Sequence, residues 1–243
     1  MIVNNRCEIL NCFNKFFVKT ISKCGSTTLR HHYGRHYSQD PFAHESLMGG
    51  VLPSTLYPKN RKEVFDIFDK RLPVFCFLRE PHSRFKTAIR TALIRYKTNI
   101  EGETTIQELN EEYIQVLKDL DNNGNEKNLL NLLSLIKRDN EKDEQVSIET
   151  HIAPMHSFLI LFHKDDPIIY KDYKEIDSVV SSFGINPQPK MYTRELSVPP
   201  EKIIYCEELD ELIDNNSSVI NAIKETYKKD FELYSSKVTS LLV

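Results

Sequence analysis

FFVKTISKCGSTTLRHHY, Phe16 to Tyr33, reads as a strand, a short loop and the start of a helix. Phe16, Phe17 and Val18 give an aromatic and β-branched run of strand length, Cys24-Gly25 breaks it, and Ser26, Thr27 and Thr28 are suited to capping a helix N-terminus. The first N–H groups of a helix have no intrahelical partner and lie at the positive end of its dipole, so such a turn can hold an oxyanion, to which Lys23 adds a full charge. An ordinary strand-turn-helix with a solvated lysine would carry the same letters. The rest of the chain separates the two readings.

A second unit of the same kind lies further along. PVFCFL, Pro73 to Leu78, is a continuous apolar run, the pattern of a strand buried on both faces of a parallel sheet. It leads into LREPHSRFKTAIRTALIRYK, Leu78 to Lys97, where Phe85, Ala88, Ile89, Ala92, Leu93 and Tyr96 recur at helical spacing and Pro81 fits the first turn. Arg79 then stands at the carboxyl end of a strand, where open α/β sheets bind ligands. Thr87 lies one turn after Arg84, so Arg79, Arg84 and Thr87 can converge on one phosphate, the guanidiniums with bidentate contacts and the hydroxyl with a third.

Composition sets outer limits. The chain of 243 residues is 40% hydrophobic and 28% charged, which predicts a globular protein with one core, a single domain over residues 1–243. The opening MIVNNRCEILNCFNKFF is interrupted by Asn, Arg, Glu and Lys, so neither a signal peptide nor a membrane anchor is read, and the expected location is cytoplasmic. Cys7, Cys12, Cys24, Cys76 and Cys206 are odd in number and contain no CxxC pair, which argues against a disulfide framework or a zinc site.

The net charge of −3 hides an asymmetry. Between Glu8 and Asp40 there is no acid but Lys15, Lys19, Lys23, Arg30, Arg35 and three histidines. Between Glu80 and Glu101 there is again none, but Arg84, Lys86, Arg90, Arg95 and Lys97. Glu101 to Glu149 is acidic. Two basic segments in an otherwise acidic chain suggest a small polyanionic ligand; a nucleic-acid surface would make the whole domain basic.

Elsewhere the pattern predicts an edge strand or lead-in over Met1–Asn14, an irregular segment over Arg35–Pro58, and a helix over Asn60–Lys70. Helices are expected at Thr105–Leu120 and Lys127–Lys137, for packing or acceptor binding. A strand at Pro167–Tyr170 precedes a helix over Lys174–Phe183 closed by Gly184. Asn186–Pro200, with four prolines, reads as a loop, and Ser218–Ser235 as a final helix.

Taken together, a lysine in a Ser/Thr-rich loop and Arg-Glu-Pro-x-x-Arg-Phe-x-Thr-Ala resemble the 5′-phosphosulfate loop and the 3′-phosphate motif of sulfotransferases that use 3′-phosphoadenosine 5′-phosphosulfate (PAPS), above all the carbohydrate sulfotransferases. HIAP, His151 to Pro154, is similar to their His-Trp-x-Pro segment with Ile152 in place of tryptophan, and YKKDFELY, Tyr227 to Tyr234, to the end of their last helix. The four stretches occur in family order. The resemblance implies an α/β fold with a central, mostly parallel sheet flanked by helices and a P-loop-like strand-loop-helix. It implies that Lys23, Cys24, Gly25, Ser26, Thr27 and Thr28 meet the phosphosulfate and that Arg79 and Thr87 meet the 3′-phosphate.

The chemistry so implied is in-line transfer of a sulfuryl group to an acceptor hydroxyl, a carbohydrate first among acceptors, with Lys23 stabilising charge, PAPS as donor and no metal, nucleic acid or membrane involved. The general base is expected after the first helix, which makes His44 and Glu45 first choices and His151 the next, with His31, His32 and His36 behind. Two alternatives stay open. A P-loop kinase or NTPase shares the strand-loop-helix, although its motif would be GxxxxGK[ST] and here the lysine precedes the glycine. A relative that binds the anion without turnover would show the same residues.

Overall fold

The structure is a computed structural model that describes residues 7–12, 14–25, 28–29, 55–100, 111–141, 151–187 and 200–238. The strands are β1 (Ile9–Cys12), β2 (Phe16–Lys19), β3 (Thr55–Leu56), β4 (Val74–Leu78) and β5 (Ile168–Asp172). The described α-helices are α1 (Arg61–Phe68), α2 (Pro81–Ile100), α3 (Glu111–Asn122), α4 (Glu126–Glu141), α5 (Ile176–Ser182), α6 (Pro200–Asn215), α7 (Ser217–Thr226) and α8 (Lys228–Lys237). Two compact units share them: one drawn from Met1–Arg79, Met155–Met191 and Leu233–Val243, the other from Glu80–Pro154 and Tyr192–Glu232.

The first unit holds one five-stranded sheet in the order β3-β1-β2-β4-β5. The protein is thus α/β, but the expected mostly parallel sheet is a mixed one: β2-β4 and β4-β5 are parallel, β1-β2 and β1-β3 antiparallel. Chain length explains the difference. Only three residues separate Cys12 from Phe16, enough for a hairpin and far too few for the crossover a parallel pair requires. The expected edge strand near the start is β1, and it lies inside the sheet because the two-residue β3 pairs along its outer side.

Strand alternation supplies two apolar faces. Leu10, Cys12, Phe16, Val18, Phe75 and Phe77 pack with Ile176, Val179 and Val180 of α5, while Ile9, Phe17 and Val74 pack with Ile67 of α1. Both β2 and β4 are buried along their whole length, as the unbroken apolar run of β4 requires of a strand covered on both sides. Asn60 caps α1 by accepting from the Glu63 N–H, and Gly184 closes the α5 end with φ +73°.

The second unit is helical. Tyr113, Leu117 and Leu120 of α3, Leu129, Leu132, Leu133 and Ile136 of α4, and Val219 and Ile223 of α7 are buried, and α4 lies against both α3 and α7. Two elements depart from expectation. Pro200 opens α6 where a loop was read to end, and the single final helix is divided at Tyr227 into α7 and α8. No helix among the described residues is long and apolar enough to cross a membrane.

Candidate functional site

Because β2, β4 and β5 are parallel, their carboxyl ends lie along one edge of the sheet. Lys19 pairs with Cys76 and Leu78 with Asp172, so the chain leaves this edge as the Thr20–Gly25 loop, as Arg79 and as Tyr173. Lys23 and Gly25 adopt φ +63° and +86°, a conformation that L-residues disfavour and that turns the loop tightly before helical backbone at Thr28 and Leu29. The Leu29 N–H donates to the Gly25 carbonyl at 3.0 Å. Strand and turn thus precede helical backbone at Thr28 and Leu29, which are the described residues of the expected Ser26–Tyr33 helix.

Gly25 is required by more than its φ. A Cβ there would overlap Cδ1 of Ile176 and stand 3.9 Å from Cβ of Tyr173. The loop thus rests on the segment after β5. On that same segment the Arg79 guanidinium lies 4.8 Å from the centroid of the Tyr173 ring. Tyr173 thus lies against Arg79 with its ring and beside Gly25 of the loop with its Cβ.

The base of the loop is anchored from inside. Cys24 is buried with its Sγ 3.6 Å from Sδ of Met155, at the start of a 3-10 turn, Met155–Leu159. Lys19 has no solvent exposure; its Nζ donates to the Thr20 carbonyl at 2.8 Å and the Glu8 carbonyl at 3.3 Å and stands 5.8 Å from the Phe158 ring centroid. Loss of hydration dominates, lowering its pKa to about 8 against the smaller opposing influence of Cys7, Cys76 and Glu8. Burial likewise pushes the Cys76 thiol up to about 12, so this neighbour is a protonated thiol and not a thiolate nucleophile. Lys19, one of the bases of the acid-free segment expected to face a polyanionic ligand, is thus enclosed by the protein, as its position within a buried strand requires.

Arg84 and Thr87 lie in the second unit and are engaged there. Arg84 is 1% exposed, and its guanidinium donates to the carbonyls of Ala153 at 2.8 Å and His151 at 3.3 Å. The Tyr227 hydroxyl donates to the Ile152 carbonyl at 2.6 Å, and its ring lies 5.6 Å from that of Phe85. Three of the motif stretches thus meet around HIAP, whose Ile152 and Ala153 are fully buried. A buried guanidinium that donates to carbonyls holds a segment in place, and Arg84 does so for His151–Ala153. Thr87 Oγ1 donates one turn back to the Ser83 carbonyl at 3.2 Å.

The second basic segment is also less cationic than its letters suggest. Lys86 pairs with Asp210 and Asp214 and Arg90 with Asp210, all through carboxylates of α6, a helix that the sequence reading did not contain. Glu80 accepts from the N–H groups of His82 at 3.0 Å and Ser83 at 2.7 Å, so the start of α2 already carries its own carboxylate. Lys23 and Arg79 belong to the segments through which the chain leaves the carboxyl edge.

Ser26, Thr27, His31, His32, His36, His44 and Glu45 lie outside the described residues. His151 is half-buried beside Ile152. Among the described residues no group of three or more His, Cys, Asp or Glu is arranged to hold a metal. A surface depression of 490 Å³ lined by Asn125, Glu126, Lys127, Leu130 and Asn131, at the turn between α3 and α4, contains none of the expected donor-binding residues. No protein-family model, no curated protein and no solved structure matches the chain.

Proposed function

We propose that the chain is a PAPS-dependent sulfotransferase that transfers a sulfuryl group to an acceptor hydroxyl, a carbohydrate first among acceptors. The observation that carries this reading is the shared carboxyl edge. Parallel β2 and β4 deliver the Lys23–Gly25 turn and Arg79 to one side of the sheet, and Tyr173 stacks on Arg79 and borders Gly25. A donor with a 3′-phosphate at one end and a 5′-phosphosulfate at the other needs separate cationic contacts for its two charged ends. A turn lysine next to a helix start suits the phosphosulfate in the P-loop-like manner, and a guanidinium suits the phosphate through bidentate hydrogen bonds.

PAPS supplies an activated sulfuryl group. In the proposed step the acceptor oxygen attacks sulfur as the bridging S–O bond breaks, and the released nucleotide is 3′-phosphoadenosine 5′-phosphate. Lys23 and the loop N–H groups stabilise the charge that grows on the bridging oxygen. Arg79 fixes the distant end of the nucleotide, so its contribution is positioning. His44 or Glu45 takes the acceptor proton in this scheme.

The test is calorimetric titration of 3′-phosphoadenosine 5′-phosphate into the wild type, Lys23→Ala and Arg79→Ala without magnesium, and then transfer of radiolabelled sulfate to a panel of glycans. Loss of one charge-assisted bidentate contact in Arg79→Ala should weaken binding by roughly tenfold or more. Lys23→Ala should depress transfer more than nucleotide affinity. Binding of ATP only with magnesium would replace this reading by a kinase or NTPase. Tight nucleotide binding with no transfer to any acceptor would leave an anion-binding relative.

A further inference from the structure

We propose that Tyr173 is a positioning residue of this site, holding the Arg79 guanidinium in the orientation that receives the 3′-phosphate. The inference rests on the reading of Arg79 as the phosphate contact and adds a residue that no sequence motif marks. An arginine at a strand end has several rotatable bonds, and ordering it on binding would cost affinity unless something orders it beforehand. The Tyr173 ring does so by offering its face at 4.8 Å.

The ring can serve as a fixed platform because its own position is set from three sides. It packs against the buried cluster of Phe16, Phe75 and Ile176. Its backbone opens a 3-10 turn in which the Asp172 carboxylate accepts from the Lys174 N–H at 2.8 Å and the Glu175 carboxylate accepts from the Asp172 N–H at 3.1 Å, a reciprocal cap. The Tyr234 hydroxyl donates to Asp172 Oδ2, and Lys171 pairs with Glu175 at 3.0 Å. Through its Cβ the same residue borders Gly25. A side chain so placed sets how Arg79 stands relative to the Lys23–Gly25 turn.

The test compares two nucleotides by calorimetry: 3′-phosphoadenosine 5′-phosphate and adenosine 5′-phosphate, which lacks the 3′-phosphate. Tyr173→Leu keeps the Cβ that borders Gly25 and removes the ring; Tyr173→Met serves the same purpose should Tyr173→Leu fail to fold. Either should bind the 3′,5′-bisphosphate about fivefold more weakly, the loss expected for one cation–π contact, and the monophosphate as the wild type does. Tyr173→Phe, which keeps the ring, should restore bisphosphate affinity. In an Arg79→Ala background the loss of the ring should add nothing. Equal weakening of both nucleotides, failure of Phe to rescue, or an undiminished effect in Arg79→Ala would overturn the role of Tyr173 while leaving the nucleotide site intact. A wild type that binds neither nucleotide would instead remove the sulfotransferase reading, and this inference with it.

Discussion

Replacing Lys19 by methionine tests the electrostatics beneath the loop. The side chain is wholly buried, and two carbonyls and an aromatic ring stand in for its hydration shell. Its pKa falls from 10.5 to about 8, chiefly through lost hydration. The unfolded chain therefore keeps this proton up to about pH 10.5, whereas the folded protein releases it near pH 8. Between those values the unfolded state binds more protons, so raising the pH relieves a penalty and stabilises the fold. At about 1.4 kcal/mol per pH unit, the full penalty below pH 8 is about 3 kcal/mol, and about 2 kcal/mol of it disappears between pH 7 and 9.5.

Methionine is unbranched and fills a similar volume without a charge. It leaves the Thr20 carbonyl without the lysine donor, a pH-independent cost of about 1 kcal/mol. The Glu8 carbonyl keeps the Thr20 N–H at 3.1 Å. Lys19→Met should then be more stable than the wild type by about 2 kcal/mol at pH 7 and nearly equal to it at about pH 9.5. Urea unfolding monitored by circular dichroism at both pH values reads the difference. Using the difference matters because Cys12 and Cys76, whose pKa values burial raises, lose stability as pH climbs past 9, the opposite sense, in both proteins. A gap that stayed constant, or widened with pH, would refute the argument.

Two further substitutions separate strain and structural anchoring from ligand contact. Gly25→Ala should destabilise by about 1–3 kcal/mol, since it forces an L-residue to φ +86° and drives a Cβ into Ile176; adding Ile176→Val should recover part of the loss, read as thermal midpoints. Arg84→Met should cost about 2–4 kcal/mol in urea unfolding by stripping the donors from the His151 and Ala153 carbonyls, with nucleotide affinity of the folded protein unchanged; a selective loss of affinity would return Arg84 to the phosphate.

The parts of the fold legible in the sequence are those where one local rule decides. The apolar run Val74–Leu78 became β4, the amphipathic stretch after Pro81 became α2, and the Phe16–Val18 run became β2. What escaped depends on partners distant in sequence. A two-residue strand such as β3 has no pattern and exists because β1 offers an unpaired side. Helix α6 begins at the last proline of a proline-rich stretch, where a first-turn proline and a loop proline look alike. Helix α7 stops at Tyr227, whose backbone leaves the helix while its hydroxyl reaches Ile152, a contact that no periodicity announces.

The same distinction governs the basic residues. Arg79 and Arg84 are five positions apart in one motif and identical in chemistry, yet one ends a strand at the carboxyl edge and the other is sealed against two carbonyls. Counting cations along an acid-free segment overstates the charge available to a ligand, because the neutralising acids arrive from elsewhere: Asp210 and Asp214 for Lys86 and Arg90, and Glu80 for the first turn of α2. Place in the fold, rather than a count of letters, decides which cations an anion can meet. The proposed donor site accordingly rests on where the loop lysine and the strand-end arginine are carried, at the carboxyl edge of the sheet, and not on the number of cations around them.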